Sequence, residues 1–136
     1  MKKILGLDMG ERRIGVAIAE NNLVATWGVI ENKNLNEAVH ELSRLVRREQ
    51  IENIVIGLPH FRDSLQADKI HAFALELKKN LDVEVVFVDE TLTSKDAERV
   101  LKDSSLNPRS GRYKEEVDKL AAKMILEQYL NVAQKK

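Results

Sequence analysis

The 136-residue chain carries 22 Lys and Arg against 22 Asp and Glu, and it has no cysteine. This excludes disulfides, thiolate catalysis and cysteine-held zinc. It also removes the global positive field that would by itself announce a nucleic-acid binder, so any such binding rests on a local patch. The length fits one domain over residues 1–136, without repeats, low-complexity segments or a dividing linker. No apolar run approaches the roughly 20 residues of a membrane span. The first strand begins too early to leave room for a signal peptide, and a reducing, cytoplasmic setting fits these features.

Ile4 to Leu7 is a short apolar run bounded by turn signals and reads as a buried strand. Asp8 stands at its end, followed by Gly10. A second apolar run, Ile14 to Ala19, makes Gly10-Glu11-Arg12-Arg13 the turn of a hairpin. Alternation puts Asp8 on the face of Ile4 and Gly6, and a glycine there predicts open space beside the carboxylate. An acid in such a run needs an ion pair, a hydrogen bond or a metal, because burying it alone costs several kcal/mol. An Asx-type turn start is the purely structural alternative.

Leu23 to Ile30 forms a third strand after an Asn21-Asn22 turn. Asn34 caps a helix from Leu35 to about Gln50, with Leu35, Ala38, Val39, Leu42, Leu45 and Val46 as its apolar stripe. Ile54 to Leu58 is a fully apolar strand that stops at Pro59 and runs parallel to the first. Asp63 or Ser64 caps the next helix, which carries Ala67, Ile70, Phe73, Ala74 and Leu77. Val83 to Val88 is another strand, ending in Asp89-Glu90-Thr91. Thr93 or Ser94 caps a helix carrying Ala97, Val100 and Leu101. Asp103 to Arg112 reads as a mobile loop. The last helix runs from Glu115 to about Leu130, with Val117, Leu120, Ala121, Met124 and Ile125 facing the core. The order βββαβαβαα predicts an α/β fold whose five-stranded mixed sheet has three antiparallel and then two parallel strands. Right-handed crossovers put the fourth strand beside the first.

In open α/β sheets chemistry sits beyond the carboxyl ends of the parallel strands, where Asp8 and Glu90 both lie. Asp118, at the rim of the last helix's stripe beside small alanines, supplies a third acid. Three carboxylates aimed at one place repel each other unless cations sit among them, and oxygen-only ligation suits Mg²⁺ or Mn²⁺. Two such ions about 4 Å apart clamp the attacking and leaving oxygens of a phosphodiester. Like-charge repulsion also predicts that Asp118→Asn stabilises the metal-free chain. Each acid has a plain alternative: Asp118 complementing a helix dipole in a first turn, Glu90 merely preceding a capped helix.

Leu5-Gly-Leu-Asp8-x-Gly10-x-Arg-Arg13-Ile-Gly15-Val-Ala17 resembles the first motif of the YqgF/RuvX family. Gly57-Leu-Pro59, Val88-Asp-Glu90-x-Leu-Thr-Ser94 and Val117-Asp118-x-x-Ala121-Ala-x-x-Ile125-Leu-x-x-Tyr129-Leu130 resemble the other three, in order. The resemblance implies an RNase H-like sheet with helices on both faces. It also implies a metal-dependent nuclease similar to the RuvC resolvases, with Asp8, Glu90 and Asp118 as catalytic metal ligands. It further implies 5′-end processing of pre-16S ribosomal RNA in ribosome biogenesis, with Holliday-junction resolution in DNA repair as the alternative. Two departures stand out. Thr91 occupies a place where the family usually has Arg, a natural phosphate contact, and Ser64 one where it usually has Gly.

Basic residues supply the local patch: Arg12 and Arg13 on the hairpin turn, Lys95, Arg99 and Lys102 at helical spacing, and Arg109, Arg112 and Lys114 in the loop before Asp118. A solvated helix face is the alternative for the middle set. His60, just after Pro59, reads as incidental. Aromatics make up 4% of the chain, so backbone and shape recognition of structured RNA or branched DNA is expected rather than stacking. Junction resolution needs two symmetric cuts and hence a homodimer, whereas end trimming can work as a monomer. Two other classes compete: an actin-like ATP-binding lobe, for which a second Asp-x-Gly hairpin is missing, and a non-catalytic RNA-binding module, favoured only by Thr91.

Overall fold

The computed structural model describes residues 2–59, 65–90, 93–102 and 110–134. Along the chain run β1 (Lys3–Met9), β2 (Arg13–Glu20), β3 (Leu23–Glu31), α1 (Leu35–Glu49) and β4 (Asn53–Pro59). Then follow α2 (Leu65–Asn80), β5 (Glu84–Glu90), α3 (Thr93–Leu101) and α4 (Gly111–Gln134). The strands form one sheet in the order β3-β2-β1-β4-β5. Its first three strands are antiparallel, and β4 and β5 lie parallel to β1. Helical crossovers thus build the parallel half, as the order of elements predicts.

Local chemistry sets the boundaries. Asn21 and Asn22 both adopt left-handed φ (54° and 67°), the two-residue hairpin turn whose twist suits the flanking strands. The Asn34 carboxamide oxygen accepts from the Glu37 amide at 2.8 Å and opens α1, which closes on Gln50 at φ 58°. Ser110 does the same for α4. Its hydroxyl accepts from the Tyr113 amide at 3.1 Å and its carbonyl from that of Lys114 at 3.3 Å. α4 therefore begins at Gly111 rather than at Glu115, and Arg112 and Lys114 belong to its first turn rather than to a loop. Thr93 and Ser94, expected as caps, are the first residues of α3. Asp63 and Ser64 lie outside the described residues.

The two sheet faces differ in side-chain size, and this difference sorts the helices. Leu5, Leu7, Ile14 and Val16 meet α1 and α2 in the larger core with Leu42, Phe73 and Leu77. On the other face Ile4, Ala17, Ala19 and Val55 meet Ala122, Ile125 and Leu126 of α4. Along β2 the alternation is strict: Ile14, Val16 and Ile18 on one side, and Gly15, Ala17 and Ala19 on the other. The small side lets α4 approach closely. A Cβ on Gly15 would collide with the backbone carbonyl of Asp118, and one on Gly6 with the Leu126 side chain. The space expected beside Asp8 at Gly6 is therefore filled by α4 and not open.

Three stripe assignments also shift. Ala122 and Leu126 are buried in place of Leu120 and Met124, which are half-buried. Leu35, the first residue of α1, is 39% exposed and Val100 is 60% exposed. Among the described residues no helix is long and apolar enough to cross a membrane.

The glycine contacts give a test. Gly15→Ala forces α4 away from β2 and should destabilise the protein by about 1–3 kcal/mol, several degrees in Tm. Gly28→Ala should be silent, since a Cβ there meets nothing within 4 Å. Equal melting of the two variants would rule out backbone contact as the reason for glycine at position 15.

Candidate active site

Asp8 lies within β1 rather than in the turn after it, directly opposite Gly15 of β2, and it is buried at 7% exposure. It occupies the α4 face, following Ile4 and Gly6 by alternation. The Cβ position of Gly6 approaches the carbonyl of Ala122, and that of Gly15, beside Asp8, approaches Asp118. Two residues of strand advance about 6.8 Å and four of helix about 6 Å. The step from Gly6 to Asp8 therefore keeps pace with the step from Ala122 back to Asp118, and the two carboxylates come to one end of the sheet. Asp118 stands two turns inside α4, in line with Ala122 and Leu126. It is neither at the stripe's rim nor in a first turn, so a helix-dipole role does not account for it.

The sequence did not assign the next partner. Arg13 Nε donates to Asp118 Oδ2 at 2.9 Å, with the two side chains 27% and 22% exposed. Arg13 opens β2 on the same face as Gly15, so its alternation with Gly15, Ala17 and Ala19 was the available signal. Its turn is fastened. Gly10 N–H donates to the Arg13 carbonyl at 3.0 Å, Asn32 N–H to the Arg12 carbonyl at 2.8 Å, and the Asn32 side chain to the Gly10 carbonyl at 2.8 Å. Arg12, one residue earlier, is exposed and borders a cavity of about 570 Å³ reaching Lys33, Lys69 and the start of α1. The two hairpin arginines thus separate, and Arg13 is bound to an acid of the site.

Glu90 ends β5 level with Pro59, two residues beyond Val88, which packs against the α4-side core. Its side chain lies outside the described residues, as do the side chain of Lys95 and all of His60, Thr91 and Arg109. Among the described residues no group of three acids or histidines is arranged to hold a metal. Asp89 is exposed, and its carbonyl accepts from Gln128 Nε2 at 3.4 Å. Arg99 and Lys102 are exposed at the end of α3, which packs on α4, and Arg112 and Lys114 are exposed on α4.

The Arg13 contact reverses the expected effect of neutralising Asp118. Asp118→Asn weakens a charge-assisted bond between partly buried groups and should cost about 1–2 kcal/mol in the metal-free protein rather than stabilise it. A double-mutant cycle with Arg13→Gln measures this by thermal melting, and a coupling near zero would show that the pair contributes nothing.

A family model described as RuvX, Holliday junction resolvase, matches residues 2–132. A protein of Syntrophus aciditrophicus (strain SB) named "Putative pre-16S rRNA nuclease" is 40% identical over 134 residues, spanning 95% of this chain and 88% of its own. One of the same name from Caldanaerobacter subterraneus subsp. tengcongensis is 37% identical over 134 residues, spanning 95% and 96%. Among solved structures, T. thermophilus RuvC in complex with Holliday junction substrate is similar at TM-score 0.63 and 14% identity, over 98% of this chain and 97% of that one. The Fowlpox virus resolvase in complex with junction DNA follows at TM-score 0.56 and 15% identity, over 94% and 98%. The fold is thus that of the RuvC-like, RNase H-type resolvases, and the match along nearly the whole chain places this protein in the RuvX family of nucleases.

Proposed function

We propose that the protein is a metal-dependent endonuclease of structured nucleic acid that processes the 5′ end of pre-16S ribosomal RNA in the cytoplasm. The observation that carries the chemistry is the buried Asp8 at the C-terminal end of β1, on the face where α4 delivers Asp118. The donor set fits a hard divalent ion. Both groups are carboxylates, the oxygen-only ligand type that Mg²⁺ and Mn²⁺ prefer, and one is nearly excluded from water. Asp8, Asp118 and Glu90 would hold Mg²⁺ or Mn²⁺, which when bound supplies an activated water and offsets charge on the phosphate. Asp8 is paired with Gly15 of β2, and β1 is paired with β4 up to the preceding residue, Leu7, so its carboxylate needs little reorganisation. Arg112 and Lys114 extend from the first turn of α4, where the helix dipole adds to their attraction for a phosphate backbone. Arg99 and Lys102 extend the basic surface along α3, and Lys95 and Arg109 complete the proposed set. The names of the 37–40% identical relatives support the ribosomal substrate. The family description favours a second reading, junction resolution by a homodimer.

Side-by-side cleavage of a pre-16S fragment and a four-way junction, with Mg²⁺ or Mn²⁺ and with native mass recorded, decides between the two. Asp8→Asn should lower cleavage by about a thousandfold or more with nucleic-acid binding retained, as expected when an essential electrostatic group is removed. Exposed Asp89→Asn should be mild. Near-normal cleavage by purified Asp8→Asn protein would overturn the nuclease mechanism.

The basic patch makes a separate prediction. Replacing Arg112 and Lys114 with Ala should weaken RNA binding across sequences and flatten the salt dependence by about 1–2 in slope. An unchanged slope would remove the α4 N-terminus from the interface.

A further inference from the structure

The hairpin arginine bound to Asp118 has a consequence for how the site is loaded. Asp118 Oδ2 is engaged by a full positive charge at 2.9 Å. The contact uses Nε alone. Among the described residues Asp118 is the one carboxylate that the guanidinium contacts. The hairpin is locked by three hydrogen bonds, so the guanidinium is supplied from a fixed base and only its flexible stem can move. A cation within a few ångströms of a ligand carboxylate opposes a second cation there, by the same Coulomb sign that shifts a neighbouring carboxyl by about 1–3 pKa units.

Resting on the metal-dependent reading of this site, we propose that Arg13 is a positioning residue: an exchangeable counter-cation that holds Asp118 in place in the metal-free protein, competes with the divalent ion for it, and is released toward the substrate phosphate when the ion binds. The arrangement answers two constraints at once. Asp8 and Asp118 lie at one end of the sheet, so a cation bound to Asp118 lowers the like-charge repulsion where α4 meets β2. A guanidinium also matches phosphate oxygens, so the group displaced by the ion is already suited to the substrate.

The test uses the whole protein without nucleic acid. Mn²⁺ is titrated into wild type, Arg13→Gln and Arg13→Lys, with free Mn²⁺ followed by its electron paramagnetic resonance signal. Arg13→Gln should bind Mn²⁺ roughly tenfold more tightly than wild type, and Arg13→Lys, which keeps the cation, should stay near wild type. A merely structural role for Arg13 would loosen metal binding or leave it alone. Should Arg13→Gln not fold, the wild-type Arg13 Nε–H resonance gives the same answer. It should move on titration with Mg²⁺ as the bond to Asp118 opens. Equal or weaker Mn²⁺ binding by folded Arg13→Gln, or an unmoved Nε–H resonance in protein that binds Mg²⁺, overturns the counter-cation role and leaves the nuclease reading intact. Absence of metal binding in all three proteins overturns both.

Discussion

Backbone contact between α4 and the β1–β2 hairpin is made possible by Gly6 and Gly15, where even a methyl group would meet Leu126 or the carbonyl of Asp118. Everything at the site depends on that approach. With larger residues on this face, as on the opposite one, interposed side chains would hold a helix farther from the sheet. Asp118 would then stand back from β1. The small-residue side of β2, with Ala17 and Ala19 continuing the pattern, therefore acts as a spacer of nearly zero thickness. The cost is a thin hydrophobic core on this face. The larger core under α1 and α2 supplies most of the apolar burial on which stability rests.

Close approach creates an electrostatic problem, and the same hairpin answers it. Bringing Asp118 to the strand that neighbours Asp8 brings two carboxylates to one end of the sheet, one of them nearly buried. Arg13 enters from the first residue of β2, anchored by a turn that Asn32 ties to Gly10 and Arg12. The residues that position the acids and the residue that balances them thus belong to one short segment, 6–15. Packing and charge are specified together there, and a change to either disturbs the other.

How much of this was legible in the sequence follows from the range of each signal. Periodicity and punctuation are local, and they carried the element order and the stripes of α1 and α2 apart from Leu35, while crossover handedness placed β4 beside β1. The α4 boundary was missed because Ser110 caps a helix whose first turn holds Gly, Arg, Tyr and Lys, a composition that reads as loop. The α4 stripe was displaced toward Leu120 and Met124 because hydrophobicity outweighs size in such readings. Against a floor of Gly and Ala it is Ala122 and Leu126 that fit. Asp8 and Asp118 were legible as acids near apolar runs, but the Arg13–Asp118 pair spans 105 residues of sequence and no local pattern contains it. Only alternation along β2 pointed to it, by placing Arg13 above Gly15.

For the proposed nuclease, a chain without net charge has to attract a polyanion to an acidic site, and the placement of its cations suits that task. Asp8 and Asp118 alone would repel a phosphate backbone. Arg13 offsets one of these charges, while Arg112 and Lys114 sit at the start of the same helix that carries Asp118. Cations that contact only phosphates carry no base readout, and aromatics for stacking are scarce. On the proposed reading, selectivity comes from the shape of a nucleic acid that brings a phosphate to Asp8 while its flanks reach α3 and α4. Charge offers a second level of control. A divalent ion bound by the acids would turn a repulsive centre into an attractive one, so metal and substrate must strengthen each other's binding by the same factor. Discrimination would therefore act on the loaded site, where a correctly shaped substrate gains the full electrostatic benefit and an ill-fitting one reaches only the rim.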